Sequence, residues 1–181
     1  MFNSTKTSAA RKLSGGWVIL LLALFSCSPA PDMSGVWIVD KERSSDIEPW
    51  RNIHLRITAE PDQVSIGRLL NPRRYTRHDS VTFPTDQTQI ELPMEASAKW
   101  LESPHLGVFL DGNTGQQIRA NWEEQGRELN VQHLMTVLTS QGASTVEILR
   151  HYVLSPDGSE LTVVETRSSR ENPITFVFTR Q

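Results

Sequence analysis

Five histidines, one cysteine and an arginine cluster in the stretch GRLLNPRRYTRH are the residues of this chain best equipped to bind or react. His54, His78, His105, His133 and His151 are scattered, and no pair has the i, i+4 spacing with a glutamate that builds a zinc site on a helix. His133 and His151 could meet across neighbouring strands, or one could be a surface imidazole and the other packed in a wall. The chain has no Gly-x-Ser-x-Gly elbow, no P-loop and no Gly-x-Gly-x-x-Gly, and its acidic residues are dispersed, so no catalytic carboxylate pair can be named. Arg68, Arg73, Arg74, Arg77 and His78 form the local basic cluster. Guanidinium forks match the two oxygens of a carboxylate, so these residues could hold an anionic head group at a cavity mouth. They could equally be solvated charges that keep a hairpin or sheet edge soluble. Trp50 and Trp100 are candidates to cover an open end of a cavity, or plain packing residues. The expectation is a binding or interaction protein with no catalytic residue, no metal ligand and no cofactor.

The single cysteine, Cys27, cannot form an internal disulfide. It ends an N-terminal stretch that carries Lys6, Arg11 and Lys12, no acidic residue, and the 9-residue apolar run Trp17–Phe25. A membrane-spanning helix needs about 20 such residues, so the run is too short to span and reads as a secretory leader. Its end, Leu24-Phe25-Ser26-Cys27, resembles the bacterial lipoprotein signal. That resemblance implies a diacylglyceryl group on the Cys27 thiol, cleavage just before Cys27 and acylation of the new amino group. Ser28 after the cysteine then fits outer-membrane sorting, with the domain facing the periplasm. The alternative is a leader cut elsewhere, near Ala30, with no lipid. Residues 1–26 are thus the expected signal, 27–33 the lipidated tether and 34–181 the folded domain. Loss of the leader takes the net charge from −3 to −6, which argues against nucleic acid as a partner.

Positioning falls to a set of short strands. After the Pro-rich tether Ser28–Asp32, alternating runs are predicted at 35–39, 52–58, 63–68, 73–83, 87–92, 116–124, 128–138, 145–154, 160–165 and 173–180. Turn residues such as Pro61-Asp62, Gln125-Gly126, Gln141-Gly142 and Pro156-Asp157-Gly158 separate them at hairpin distances. Residues 93–101 could form one helical turn or two, or a loop. A long meander exposes unpaired backbone at both ends, and closing it into a barrel removes both edges. The expected fold is all-β: an antiparallel up-and-down meander closed into a barrel of about 8–10 strands. Ile118, Ala120 and Trp122 share one face, as do Leu129, Val131, His133, Met135 and Val137.

Ser34-Gly35-Val36-Trp37 at the start of the first strand resembles the lipocalins and their relatives, and the layout from 34 to 181 is similar to bacterial lipocalin-like domains. The resemblance implies that Trp37 closes one end of the barrel, beside Gly35, with Arg180 packed across its ring. It also implies a cavity for a small hydrophobic or amphipathic molecule, bordered by residues 44–50 and 93–105. A side-chain-filled barrel serving as an interaction surface for an unidentified protein partner, or less readily an envelope hydrolase, remains open from sequence.

Overall fold

A computed structural model describes residues 32–45, 50–72, 76–93, 115–139 and 142–181. They form ten strands: β1 (Gly35–Asp40), β2 (Trp50–Ala59), β3 (Gln63–Pro72), β4 (Arg77–Pro84), β5 (Ile90–Pro93), β6 (Gly115–Glu123), β7 (Glu128–Thr139), β8 (Gly142–Leu154), β9 (Glu160–Arg167) and β10 (Ile174–Arg180). A 3-10 turn at Glu124–Gly126 joins β6 to β7. The sheet order is β4-β3-β2-β1-β10-β9-β8-β7-β6-β5, each strand antiparallel to its neighbour. This is the expected meander, with the first strand, β1, paired to the last, β10. The possible helix at 93–101 falls, beyond Pro93, outside the described residues.

Alternation explains which side chains face in. Ile53, Leu55 and Ile57 of β2 and Val64, Ile66 and Leu70 of β3 are buried, while Arg56 and Thr58 are exposed. Leu129, Tyr152, Val163 and Phe176 line up in register across four strands as one apolar layer. Trp122 is only partly buried and packs against this core from β6.

The two outer strands of the sheet, β4 and β5, do not pair with each other. The chain leaves β4, bridges to β6 at Asp86–Asn121, and continues into β5. Four residues separate Asp86 from Ile90, but three separate their partners Asn121 and Ile118, so one extra residue bulges out. Gln87 takes the left-handed backbone, φ 68°, and its N–H donates to Ala120 O at 2.9 Å. These bonds tie the chain to β6, and the unpaired β4 and β5 leave the barrel nearly closed, with a seam between them.

The opposite feature is the closed end. Trp37 is fully buried, and its indole N–H donates to Met33 O at 3.1 Å. The Arg180 guanidinium carbon sits 4.3 Å from the Trp37 ring centroid. Arg180 also donates to the carbonyls of Asp32 (2.7 Å), Ser34 (2.7 Å) and Gly158 (2.8 Å). Gly158 lies in the β8–β9 turn. There Asp157 accepts from the Ser155 hydroxyl and from the Ser159 N–H and hydroxyl, which hold its carboxyl at about 2. Gly35 has φ 149°, and a Cβ there would lie 3.0 Å from Arg180 Nη1. Arg180 thus ties the entry of β1, the end of β10 and the β8–β9 turn into one unit. Replacing Arg180 by Ala is expected to cost about 2–4 kcal/mol, from the cation–π contact and three charge-assisted hydrogen bonds. Arg180→Lys should recover only part, because an ammonium cannot stack and fork at once. Urea denaturation checks both values.

Candidate functional site

Above the apolar layers the inward phase of the strands becomes polar. Arg150 on β8 follows Ile148 and precedes Tyr152 in the inward series, and Glu165 and Arg167 on β9 follow Leu161 and Val163. In register, Val131, Arg150, Glu165 and Ile174 form one row, and His133, Ile148 and Arg167 the next. Arg150 Nε donates to Glu165 Oε2 at 2.7 Å, and Arg167 Nε donates to the other oxygen of the same carboxylate. Arg150 Nη1 lies 2.9 Å from His133 Nδ1. A guanidinium can only donate, so His133 accepts through Nδ1 and carries its ring proton on Nε2. All four side chains are buried.

A second pair faces inward on the neighbouring arc. Arg68 of β3 and Asp79 of β4 are register partners joined by a two-pronged ion pair. Between this pair and the β8 wall lies a cavity of about 270 Å³. Its apolar lining includes Ile66, Val81, Phe83, Leu92, Val131 and Tyr152. Arg68, Asp79, Gln116, His133 and Arg150 supply its polar part, and Ser80 and Thr82 of β4 also line it. An apolar chamber with a few convergent polar groups suits a small amphipathic molecule better than water alone. Among the described residues, no group of three or more His, Cys, Asp or Glu side chains is placed to hold a metal ion.

The sequence-derived candidates are distributed differently from this site. Trp37, Gly35 and Arg180 meet at the closed end, away from the cavity lining. Cys27, Arg73, Arg74, Trp100 and the bordering stretch 94–105 lie outside the described residues, as do the side chains of Trp50 and Arg77 on β2 and β4. Within the basic cluster, Arg68 is turned inward onto Asp79 while His78 is exposed on the outer face. His133 and His151 are not neighbours: His133 is opposite Ile148 facing in, and His151 faces out, 3.0 Å from Glu128 Oε2. The period of two that puts one inside puts the other outside. Arg150, Glu165, Arg167 and Gln116 were not among the candidates. Their signal was phase: each falls on the apolar phase of its strand, where an exposed charge would not be found.

No protein-family model matches the chain, and no curated protein matches it. Among solved structures it is similar to the fatty-acid-binding protein isolated from Manduca sexta, at 11% identity over 81% of this chain and 97% of that one, with a TM-score of 0.45. It is also similar to secretory abundant heat soluble protein 4 from Ramazzottius varieornatus, at 8% identity over 83% of this chain and 96% of that one, with a TM-score of 0.48. The barrel assignment stands on the strand ladder of this chain itself.

The ionic row generates a stability expectation. Glu165→Leu strands two buried guanidiniums without the carboxylate they share and should destabilise the fold by about 3–5 kcal/mol. The combined Arg150→Met, Glu165→Leu, Arg167→Met variant should regain most of that loss, since an apolar replacement of a whole buried ion cluster is often neutral. Chemical denaturation of the two variants beside the wild type decides the matter; a loss below about 1 kcal/mol for Glu165→Leu would mean the row is solvated.

Proposed function

We propose that this protein is a binding module of the cell envelope whose barrel carries a small hydrophobic or amphipathic molecule. The observation that carries the reading is the roughly 270 Å³ cavity, apolar on most of its wall and polar at Arg150, His133 and Gln116. A barrel filled by its own side chains would leave no such space. The arrangement favours a ligand with an apolar body and one polar end, with the polar end beside Arg150. Glu165 holds the Arg150 guanidinium in place, so little side-chain entropy is lost on binding.

The anchoring half of the proposal rests on the sequence around Cys27. Acyl chains there would hold the module to a membrane, at about 0.8 kcal/mol per buried CH₂. Five residues from Cys27 to Asp32 reach at most about 18 Å. Arg180 grips Asp32 and Ser34, so a lipid on Cys27 would keep the closed end near the bilayer and leave the cavity reachable from the aqueous side.

Two outcomes are expected. Isothermal titration of the 32–181 domain with undecanoate should give one site with a Kd of about 10 µM, in line with modest ligand efficiency for a molecule of this size. Arg150→Met should weaken undecanoate about tenfold and leave undecanol unchanged. Absence of heat or saturation with both compounds would overturn the carrier reading. For the anchor, Cys27→Ser expressed in a bacterium with an outer membrane should move the protein to the soluble periplasmic fraction and abolish incorporation of labelled palmitate. A variant that stays in the membrane pellet would refute lipid attachment at Cys27.

A further inference from the structure

The seam beside β4 holds main-chain groups that a simple hydrophobic pocket does not use. Thr85 N–H donates to Asp62 O at 2.9 Å, and this sets the phase of the β3–β4 ladder. Hydrogen-bonded and non-bonded positions alternate along an antiparallel pair. Asp79, Val81 and Phe83 therefore turn their N–H and C=O groups toward β3, whereas Ser80 and Thr82 turn theirs into the seam. Among the described residues β4 has β3 as its single strand neighbour, and the crossing to β6 is made below this point, at Asp86 and Gln87. Ser80 and Thr82 line the same cavity as Val81 and Phe83, with Leu92 and Pro93 of β5 on its other flank.

We infer that the seam is an amide-recognition edge, and that the barrel's ligand belongs to the class of N-acyl amino acids or acylated peptides. Its amide would pair with the outward main chain of Ser80 and Thr82 while its acyl chain fills the apolar cavity. The inference rests on the carrier reading and adds the class of ligand. A strand edge presents a donor and an acceptor together. A carboxylate can only accept, and an alkyl chain can do neither, so a plain fatty acid leaves the edge unmatched. An amide supplies both groups, as in strand addition to an open sheet edge. The cavity volume of about 270 Å³ sets the acyl chain as a short one.

N-octanoylglycine and undecanoate are the probes, because they match in chain length and terminal carboxylate and differ by the amide. Titration calorimetry with the wild-type domain should show N-octanoylglycine binding about tenfold tighter. Ser80→Pro removes one N–H that faces the seam and no ladder bond to β3, a position where an edge strand tolerates proline. That variant should lose the tenfold preference and keep its undecanoate affinity. In the wild type, the amide proton resonances of Ser80 and Thr82 should move downfield with N-octanoylglycine and not with undecanoate, a readout that needs no variant. Equal affinity for the two probes, or a preference that survives Ser80→Pro without movement of those resonances, overturns the inference and leaves the carrier reading standing. Binding of neither probe overturns both.

Discussion

Pairing β1 with β10 brings together residues as far apart as Ser34 and Arg180, 146 positions along the chain. Closing a loop of that length costs about 4 kcal/mol beyond the constant term, and nothing local offsets it. The offset comes from the geometry at the joint. Trp37 buries its whole ring, and burying an aromatic side chain of about 200 Å² contributes on the order of 5 kcal/mol of transfer free energy. Arg180 then covers the face of the indole and satisfies three carbonyls drawn from two chain segments. Gly35 makes this approach possible, since a side chain there would occupy the place of the guanidinium. Without this joint the sheet would have four loose strands on one side and six on the other. With it, the inward faces of all ten strands converge on one interior.

That interior is divided by height. Near the joint it is apolar and packed, with Leu129, Leu154, Leu161 and Phe178 fully or almost fully buried. Farther up it holds three charges in two adjacent rows and a bidentate pair across from them. Desolvating such charges costs several kcal/mol per ion, and their mutual attraction returns this only when geometry is close and each fork is matched. A chain selected for stability alone would place leucine and methionine there. The polar rows fit a protein that spends packing on recognition, and they fall where the seam gives access.

The strands were legible in the sequence because burial on one face imprints a period of two. Ile53-x-Leu55-x-Ile57 and Ile174-x-Phe176-x-Phe178 show it plainly, and both series are buried. The contact of Arg180 with Trp37 was suggested only by the resemblance of Ser34-Gly35-Val36-Trp37 to the lipocalins; no period or spacing points to it. The site itself was not legible. Arg150, Glu165 and Arg167 fall on the apolar phase of their strands, but only the register of β8 and β9 brings them into one cluster. Arg68 drew attention as part of a basic cluster, but its partner Asp79 lies 11 positions on and meets it only through the β3–β4 hairpin. Of the two readings open for His133 and His151, the structure has one imidazole packed in the wall and the other facing out, as the period of two dictates.

Beside the seam the chain carries a single extra residue. Had the stretch from Asp86 to Ile90 matched its partners on β6 residue for residue, it would have continued the β5–β6 ladder without a break. Gln87 instead adopts a left-handed conformation that costs a non-glycine residue about 1 kcal/mol, and its N–H is repaid by Ala120 O. Above this crossing Ser80 and Thr82 of β4 line the cavity. Edge strands exposed to solvent invite aggregation, and proteins blunt them with charge, proline or twist. Here β4 ends at Pro84, β5 ends at Pro93, and Asp79 is committed to Arg68, so the edge is short and flanked by residues that resist another strand of the same kind. The edge is thus guarded against a second sheet, while Ser80 and Thr82 line the cavity beside it.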